Sequence, residues 1–320
     1  MKSLIYAVIG VMAVCSASFS AEYIGVVSPA SCINRDEIEA AIRLLEAHDY
    51  KVKLGEYVFA ENGYLAGTDQ QRADDINAMF RDDEVKMILC TRGGYGAARI
   101  LDLLDYEMIA QNPKPLIGYS DITALHIVLG EKCGLTTIHG PMLPSLLRPN
   151  LASDYTVENF FRGIAGEYPS GEIPMPEGKT LKAVVPGRAE GIIRGGNLTL
   201  IASLVGTPYE LRGDGALLFL EEVGEKPYRI DRMLNQLWQS GLFDRVNGIL
   251  LGDFVNCEAP EGVAGTFSLE DVLKHYAELS GKPVLSGIPA GHGEYNMFLP
   301  LGVYARMEAS EDGSGMLEID

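Results

Sequence analysis

From Glu22 to Gly140 short apolar runs alternate with longer amphipathic stretches, and this alternation constrains the fold more than any other feature of the chain. "YIGVVSPAS", "KVKLGEYVF", "VKMILC", "KPLIGYS" and "LTTIHG" read as strands. Between them lie "RDEIEAAIRLLEAHDY", "TDQQRADDINAMFRDD", "GAARILDLLD" and "DITALHIVLGEKCG", which read as helices. The first of these places Ile38, Ala41, Ile42, Leu44 and Leu45 along one helical face, and Thr68 or Asp69 suits the cap of the second. Strands alternating with helices predict an α/β architecture with a parallel sheet covered on both faces. Residues 21–145 are therefore expected to form an N-terminal, Rossmann-like α/β domain.

The pattern lapses over residues 146–181, which are rich in Pro, Gly and charge and are expected to link two domains, with at most a short helix near Val157–Gly163. It resumes over 182–320. "AEGIIRGG", "GALLFLEEV", "VNGILLGDF" and "KPVLSGIPAGHG" read as strands with following loops, and "NLTLIASLVG", "PYRIDRMLNQLWQSG" and "SLEDVLKHYAEL" as helices. "FLPLGVYARMEAS" and "GSGMLEI" read as a closing β-pair, giving a C-terminal α/β domain with a more mixed sheet.

The formal net charge of −18, with no basic run, argues against nucleic acid and anionic lipid as partners. Residues 1–20, with Lys2, an apolar run from Leu4 to Val14 and small residues at Ser18 and Ser20, read as a cleaved signal peptide. Export, to a periplasm, is the corresponding expectation, with no membrane insertion after cleavage. Cys15 suggests lipidation, but Val14 before it is bulkier than such a site prefers. Cys32, Cys90, Cys133 and Cys257 are widely spaced and form neither a zinc pattern nor a disulfide framework. No metal or cofactor is expected, since neither HExxH nor a phosphate-loop signature is present.

In an open parallel sheet, functional groups gather beyond the carboxyl ends of the strands. Ser120 follows "PLIGY" and begins a helix, where a serine is either an N-cap or a nucleophile raised on a sharp turn. A serine nucleophile needs a base and a group that orients the base. His292, between Gly291 and Gly293, is the most accessible imidazole by pattern; His126 and His275 fall within helices, His48 precedes a turn, and His139 closes a strand. Glu221 or Glu222, two acids ending the apolar run "LLFL", supplies the third group, and pattern alone leaves the choice open. "TRGGYGAAR" presents backbone amides at Gly93 and Gly94, suited to an oxyanion. Arg92, Arg194, Arg229 and Arg232 are candidates for binding a substrate carboxylate. Trp238 is expected in the core of an amphipathic helix.

Taken together, "GTDQQRADDINAMF", "CTRGGYGAARIL", "NPKPLIGYSDITALH", "IHGPM", "GGNLTLIASLVGTPYE", "LFLEEVGEKPYRIDRML" and "GHGEYNMFLPLG" resemble the LD-carboxypeptidase family of serine peptidases over nearly all of the chain after residue 20. The resemblance implies a Ser-Glu-His triad of Ser120, Glu221 and His292. It also implies an oxyanion hole from the backbone of Gly93 and Asp121, with Gly94 as an alternative to Gly93. It further implies two domains with the site at their junction, a homodimer, and release of terminal D-alanine from a murein tetrapeptide. Two other functions fit the sequence: a microcin-immunity type of peptidase within the same family, and a two-lobed exported protein that binds a small solute without turnover.

Overall fold

The computed structural model describes residues 23–148, 150–259 and 265–320. The leader expected over 1–20, including Cys15, lies outside them. Five short strands, β1 (Tyr23–Val27), β2 (Val52–Leu54), β3 (Val85–Cys90), β4 (Leu116–Gly118) and β5 (Thr137–His139), form a parallel sheet. Helices α1 (Arg35–Glu46), α2 (Asp69–Arg81), α3 (Tyr106–Gln111) and α4 (Thr123–Cys133) lie in the crossovers. The strand order is β5-β4-β3-β1-β2, so the chain reverses its direction of travel between β1 and β3. A crevice opens beyond the strand ends at such a reversal.

The second sheet contains β6 (Gly171–Glu172), β7 (Lys182–Val185), β8 (Gly187–Asn197), β9 (Leu217–Val223), β10 (Gly248–Val255) and β11 (Val284–Ser286). Strands β8 to β11 are parallel neighbours, and β7 adds an antiparallel edge. After β12 (Leu299–Leu301), β13 (Tyr304–Ala309) and β14 (Gly315–Ile319) pair antiparallel and extend the sheet beside β8. The covering helices are α6 (Leu198–Leu204), α7 (Pro227–Gln239), α8 (Leu242–Arg245) and α9 (Leu269–Ser280); α5 (Asp154–Ile164) precedes β6. The molecule is thus a two-domain α/β protein, with a largely parallel N-terminal sheet and a mixed C-terminal one.

Several local expectations differ from the structure. "KVKLGEYVF" is a strand only as far as Leu54, because Gly55 starts a turn and Asp75 accepts the amide of Tyr57. "GAARILDLLD" is a 3-10 helix over Ala97–Leu103, after which Leu104 is extended and Asp105 caps α3 anew. Residues 146–181 are more than a connection. Helix α5 buries Phe160 and Ile164 in the core with Ile24, Val26 and Leu45, while β6 joins β14. Strand β12, expected in the closing pair, instead adds antiparallel to β5 in the N-terminal sheet, which ties the two halves together. Trp238 is not in the core: α7 buries Ile230, Leu234 and Leu237, and the indole flanks that face, 42% exposed.

Helix α4 is the pivot of the arrangement. Its residues from Thr123 to Gly130 are all buried, as a helix that is apolar on every side must be. It packs against the N-terminal sheet on one side and against β8 and α6 on the other. The Thr123 hydroxyl accepts the Asn197 amide at 2.9 Å across the junction. Gly134, at φ +66°, closes its C-terminus in the left-handed region that glycine enters without strain. Ser120 sits immediately before this helix, so its position is fixed relative to both domains.

Candidate active site

Strand β4 ends at Gly118, and the chain turns so tightly that a Cβ there would lie 2.9 Å from the Ile122 side chain. Ser120 follows at φ +65°, a left-handed conformation that costs a residue with a Cβ about 1–2 kcal/mol. Its side chain caps neither the short 3-10 turn over Ser120–Ile122 nor α4. Of the two roles open to this serine, the structure therefore removes the cap. Strain at a residue of this kind points towards function.

The turn after β3 closes against it. A Cβ on Gly93 would lie 2.9 Å from Ser120 Cβ, 3.0 Å from its Oγ and 3.1 Å from the Asp121 amide nitrogen. The Gly93 backbone and the Asp121 N–H thus lie together beside the hydroxyl. Gly94, at φ +98°, packs on Ser31, whose Oγ accepts the Tyr95 amide at 3.0 Å. Buried Arg72 fastens the same turn, donating to Gly96 O at 2.7 Å and Pro29 O at 2.5 Å and pairing with Asp69. The Asp121 side chain points inward and accepts the Ala97 amide at 2.7 Å; burial pushes its carboxyl up to about 6.

The C-terminal domain supplies the other groups. Glu221 is fully buried at the end of β9, and its Oε2 lies 2.7 Å from His292 Nδ1. Burial opposes its ionisation, but the charge of His292, with help from His139, outweighs that and holds the carboxyl down at about 2. Burial depresses His292 in turn, and Glu221 overcomes it, so the imidazole lies above its ordinary value. Neighbouring Glu222 turns the other way. It accepts from Asn197 Nδ2, from the Thr199 amide and hydroxyl, and from the Val223 amide, holding the start of α6.

Gly291, at φ +139°, brings the histidine loop against Glu221, and a Cβ there would meet Glu221 Oε2 at 3.0 Å. Gly293 packs on Asp253; burial and then the Glu221 charge push Asp253 up to about 6. The segment expected to be a linker holds this loop from outside. The hydroxyls of Ser153 and Thr156, on the first turn of α5, donate to Glu294 O, and Thr156 Oγ1 accepts the Asn296 amide.

Ser120, Gly93, Gly94 and His292 line one cleft of about 140 Å³. With Nδ1 engaged by Glu221, the His292 Nε2 is the ring nitrogen left for proton transfer. Tyr119 packs on the imidazole at 4.8 Å between ring centres. Of the four arginines expected to bind a carboxylate, only Arg92 lines this cleft; Arg194 lines others, and Arg229 pairs with Glu225 on the surface. Arg148 lines it too, and the sequence does not mark it, because it stands in the Pro-rich stretch that reads as a connection.

Comparison with known proteins gives a consistent picture. Residues 24–140 match the LD-carboxypeptidase N-terminal domain and residues 190–307 the LD-carboxypeptidase C-terminal domain. A probable murein peptide carboxypeptidase of Bacillus subtilis is 41% identical over 293 residues, covering 90% of this chain and 89% of that protein. A murein tetrapeptide carboxypeptidase of Pseudomonas aeruginosa is 36% identical, covering 90% and 93%. The crystal structure of muramoyltetrapeptide carboxypeptidase from Oxalobacter formigenes superposes with a TM-score of 0.80 at 28% identity, covering 93% of this chain and 98% of that one.

Proposed function

The chain belongs to the LD-carboxypeptidase family of serine peptidases, and from that membership we propose that it hydrolyses the L,D-peptide bond of murein tetrapeptides and releases terminal D-alanine. The observation that carries this reading is the 2.7 Å bond between Glu221 and His292 beside a strained, uncapped Ser120 in the same cleft.

His292 Nε2 takes the proton from Ser120 as the hydroxyl attacks the carbonyl before the terminal D-residue. Glu221 holds the ring and stabilises the imidazolium. The amides of Gly93 and Asp121 receive the oxyanion, which in such sites typically accounts for about 10²–10³ in rate per donor. D-Alanine leaves with the proton held by His292, and water then resolves the acyl-enzyme by the same base.

Incubation with a defined murein tetrapeptide tests this directly: free D-alanine is expected by mass, and none from Ser120→Ala. A fluorophosphonate probe separates the enzyme from a solute-binding protein. Labelling lost in Ser120→Ala supports the enzyme, and ligand binding without labelling supports the binder. Export and pairing into a homodimer belong to the same proposal. Cell fractionation and light scattering test them, and a cytoplasmic or a monomeric protein overturns the respective part.

A further inference from the structure

The catalytic carboxylate proposed above uses only one of its oxygens. Glu221 Oε1 is buried and has no hydrogen-bond partner among the described residues. Facing it at 3.9 Å is Nε2 of His139, a fully buried imidazole neither of whose nitrogens has a partner there either. The separation is about 1 Å beyond a hydrogen bond. Leaving a buried donor or acceptor unmade costs roughly 1–3 kcal/mol, a cost that a bond between these two groups would remove.

The placement of His139 adds meaning to the contact. It ends β5, in register with Gly118 of β4 on one side and Leu299 of β12 on the other. Strand β4 runs directly into Ser120, whereas Glu221 ends β9 of the other sheet. The His139 ring is held edge-on against Phe219 at 5.0 Å and Tyr119 at 5.9 Å between centres, so it has little freedom to turn away. We propose that His139 is a positioning residue for Glu221: its Nε2–H donates to Oε1, fixes the carboxylate so that Oε2 faces His292, and registers the domain carrying the acid and base against the domain carrying the serine. The inference rests on the triad reading above and extends it to a fourth side chain.

The test uses the reactivity of Ser120 towards a fluorophosphonate, which does not depend on which peptide is the substrate. The groups that bear on the pH profile are His292, Glu221, His139, Asp253, Glu222, His126 and Tyr119. His139→Met fills the space without a donor, and His139→Gln restores an N–H. Labelling in His139→Met should be about 10²-fold slower, with melting temperature little changed and the acid limb of the rate profile moved to higher pH, because a carboxylate short of a donor holds the imidazolium more tightly. His139→Gln should recover part of the rate and return the limb.

Wild-type rate and limb in His139→Met overturn the proposal, as does a slower rate with an unmoved limb. Should His139→Met fail to fold, nitrogen NMR of the wild-type histidines decides: a His139 protonated at Nε2, with a resonance that moves in Glu221→Gln, supports it, and one protonated at Nδ1 overturns it. A wild-type protein that labels but releases no D-alanine rejects the murein reading and leaves this one standing; one that does not label rejects both.

Discussion

Gly93 and Ser120 are packed so closely that a single methyl group added to the first would lie 2.9 Å from the Cβ of the second. No side chain but that of glycine fits there without displacing the serine or the Asp121 amide. Gly93→Ala is expected to lower kcat by about 10²–10³, the cost of a disturbed oxyanion donor, while KM changes little. Thermal unfolding should shift only slightly, because the turn is independently fastened by Arg72. Steady-state kinetics with a tetrapeptide check this; an alanine variant with native kcat would show that this turn does not carry the oxyanion.

Glu221 and Glu222 adjoin in sequence but are committed to different tasks, and their variants should fail differently. Glu221→Ala removes the partner of His292 and is expected to abolish measurable turnover. Glu222→Ala removes three hydrogen bonds at the start of α6 and a fourth from the Val223 amide, and each buried group left unpaired costs about 1–3 kcal/mol. Its signature is a large fall in melting temperature with substantial kcat retained in the protein that remains folded. Equal kinetic loss in both variants, at equal stability, would contradict the assignment.

The contrast between these two acids marks how far the sequence could be read. The alternation that places Ser120, Glu221 and His292 at strand ends is legible because period and burial are coupled along each element. Which of two adjacent carboxylates faces the histidine is a matter of strand pleat, and nothing local records it; the family resemblance assigned the role to Glu221. Ser120 illustrates the opposite case. A serine at a helix start is locally a cap, and only the φ of +65° and the uncapped hydroxyl separate that reading from a nucleophile. Residues 146–181 are the least legible, since Pro, Gly and charge signal a connection even where the segment packs α5 on the core and brings Arg148 to the cleft. Trp238 shows the limit of periodicity, being adjacent to buried Leu237 yet one step beyond the apolar face of α7.

The pH dependence follows from the coupled pair. The proposed mechanism needs His292 unprotonated, and Glu221 raises it above its ordinary value of 6.5, so kcat/KM should climb with pH along a limb centred above 6.5. In Glu221→Gln any residual rate should show that limb at lower pH, because the charge that raises it is gone. Stability has its own window. Glu221, lowered from 4.5 to about 2, contributes stability that is complete above 4.5 and lost as pH falls towards 2. His292, raised, contributes stability that is complete below 6.5 and lost as pH rises through its folded value. The pH-dependent part of the stability difference between wild type and Glu221→Gln should therefore peak between 4.5 and 6.5, measured by denaturant unfolding across that range.

On the proposed function, Arg92 and Arg148, the guanidinium groups lining the cleft among the described residues, are the candidates for reading the terminal carboxylate. Arg148 pairs at 3.0 Å with Glu37, and both side chains are about half exposed, so the pair contributes little and exchanges readily for a substrate carboxylate. Arg92 donates to Cys32 O at 3.2 Å and so also holds the loop beside the cleft. Arg148→Ala is expected to raise KM for a tetrapeptide by on the order of 10–100-fold, the worth of a hydrogen bond to a charged group, with kcat less affected. Arg92→Ala should raise KM by less. Arg194→Ala, Arg229→Ala and Arg232→Ala should leave KM unchanged, since none of these residues lines the cleft. The decisive comparison uses a tetrapeptide ending in D-alaninamide. If Arg148 reads the carboxylate, the wild type should already handle this substrate poorly and Arg148→Ala should lose nothing further; an equal additional loss on acid and amide would assign Arg148 to shaping the cleft instead.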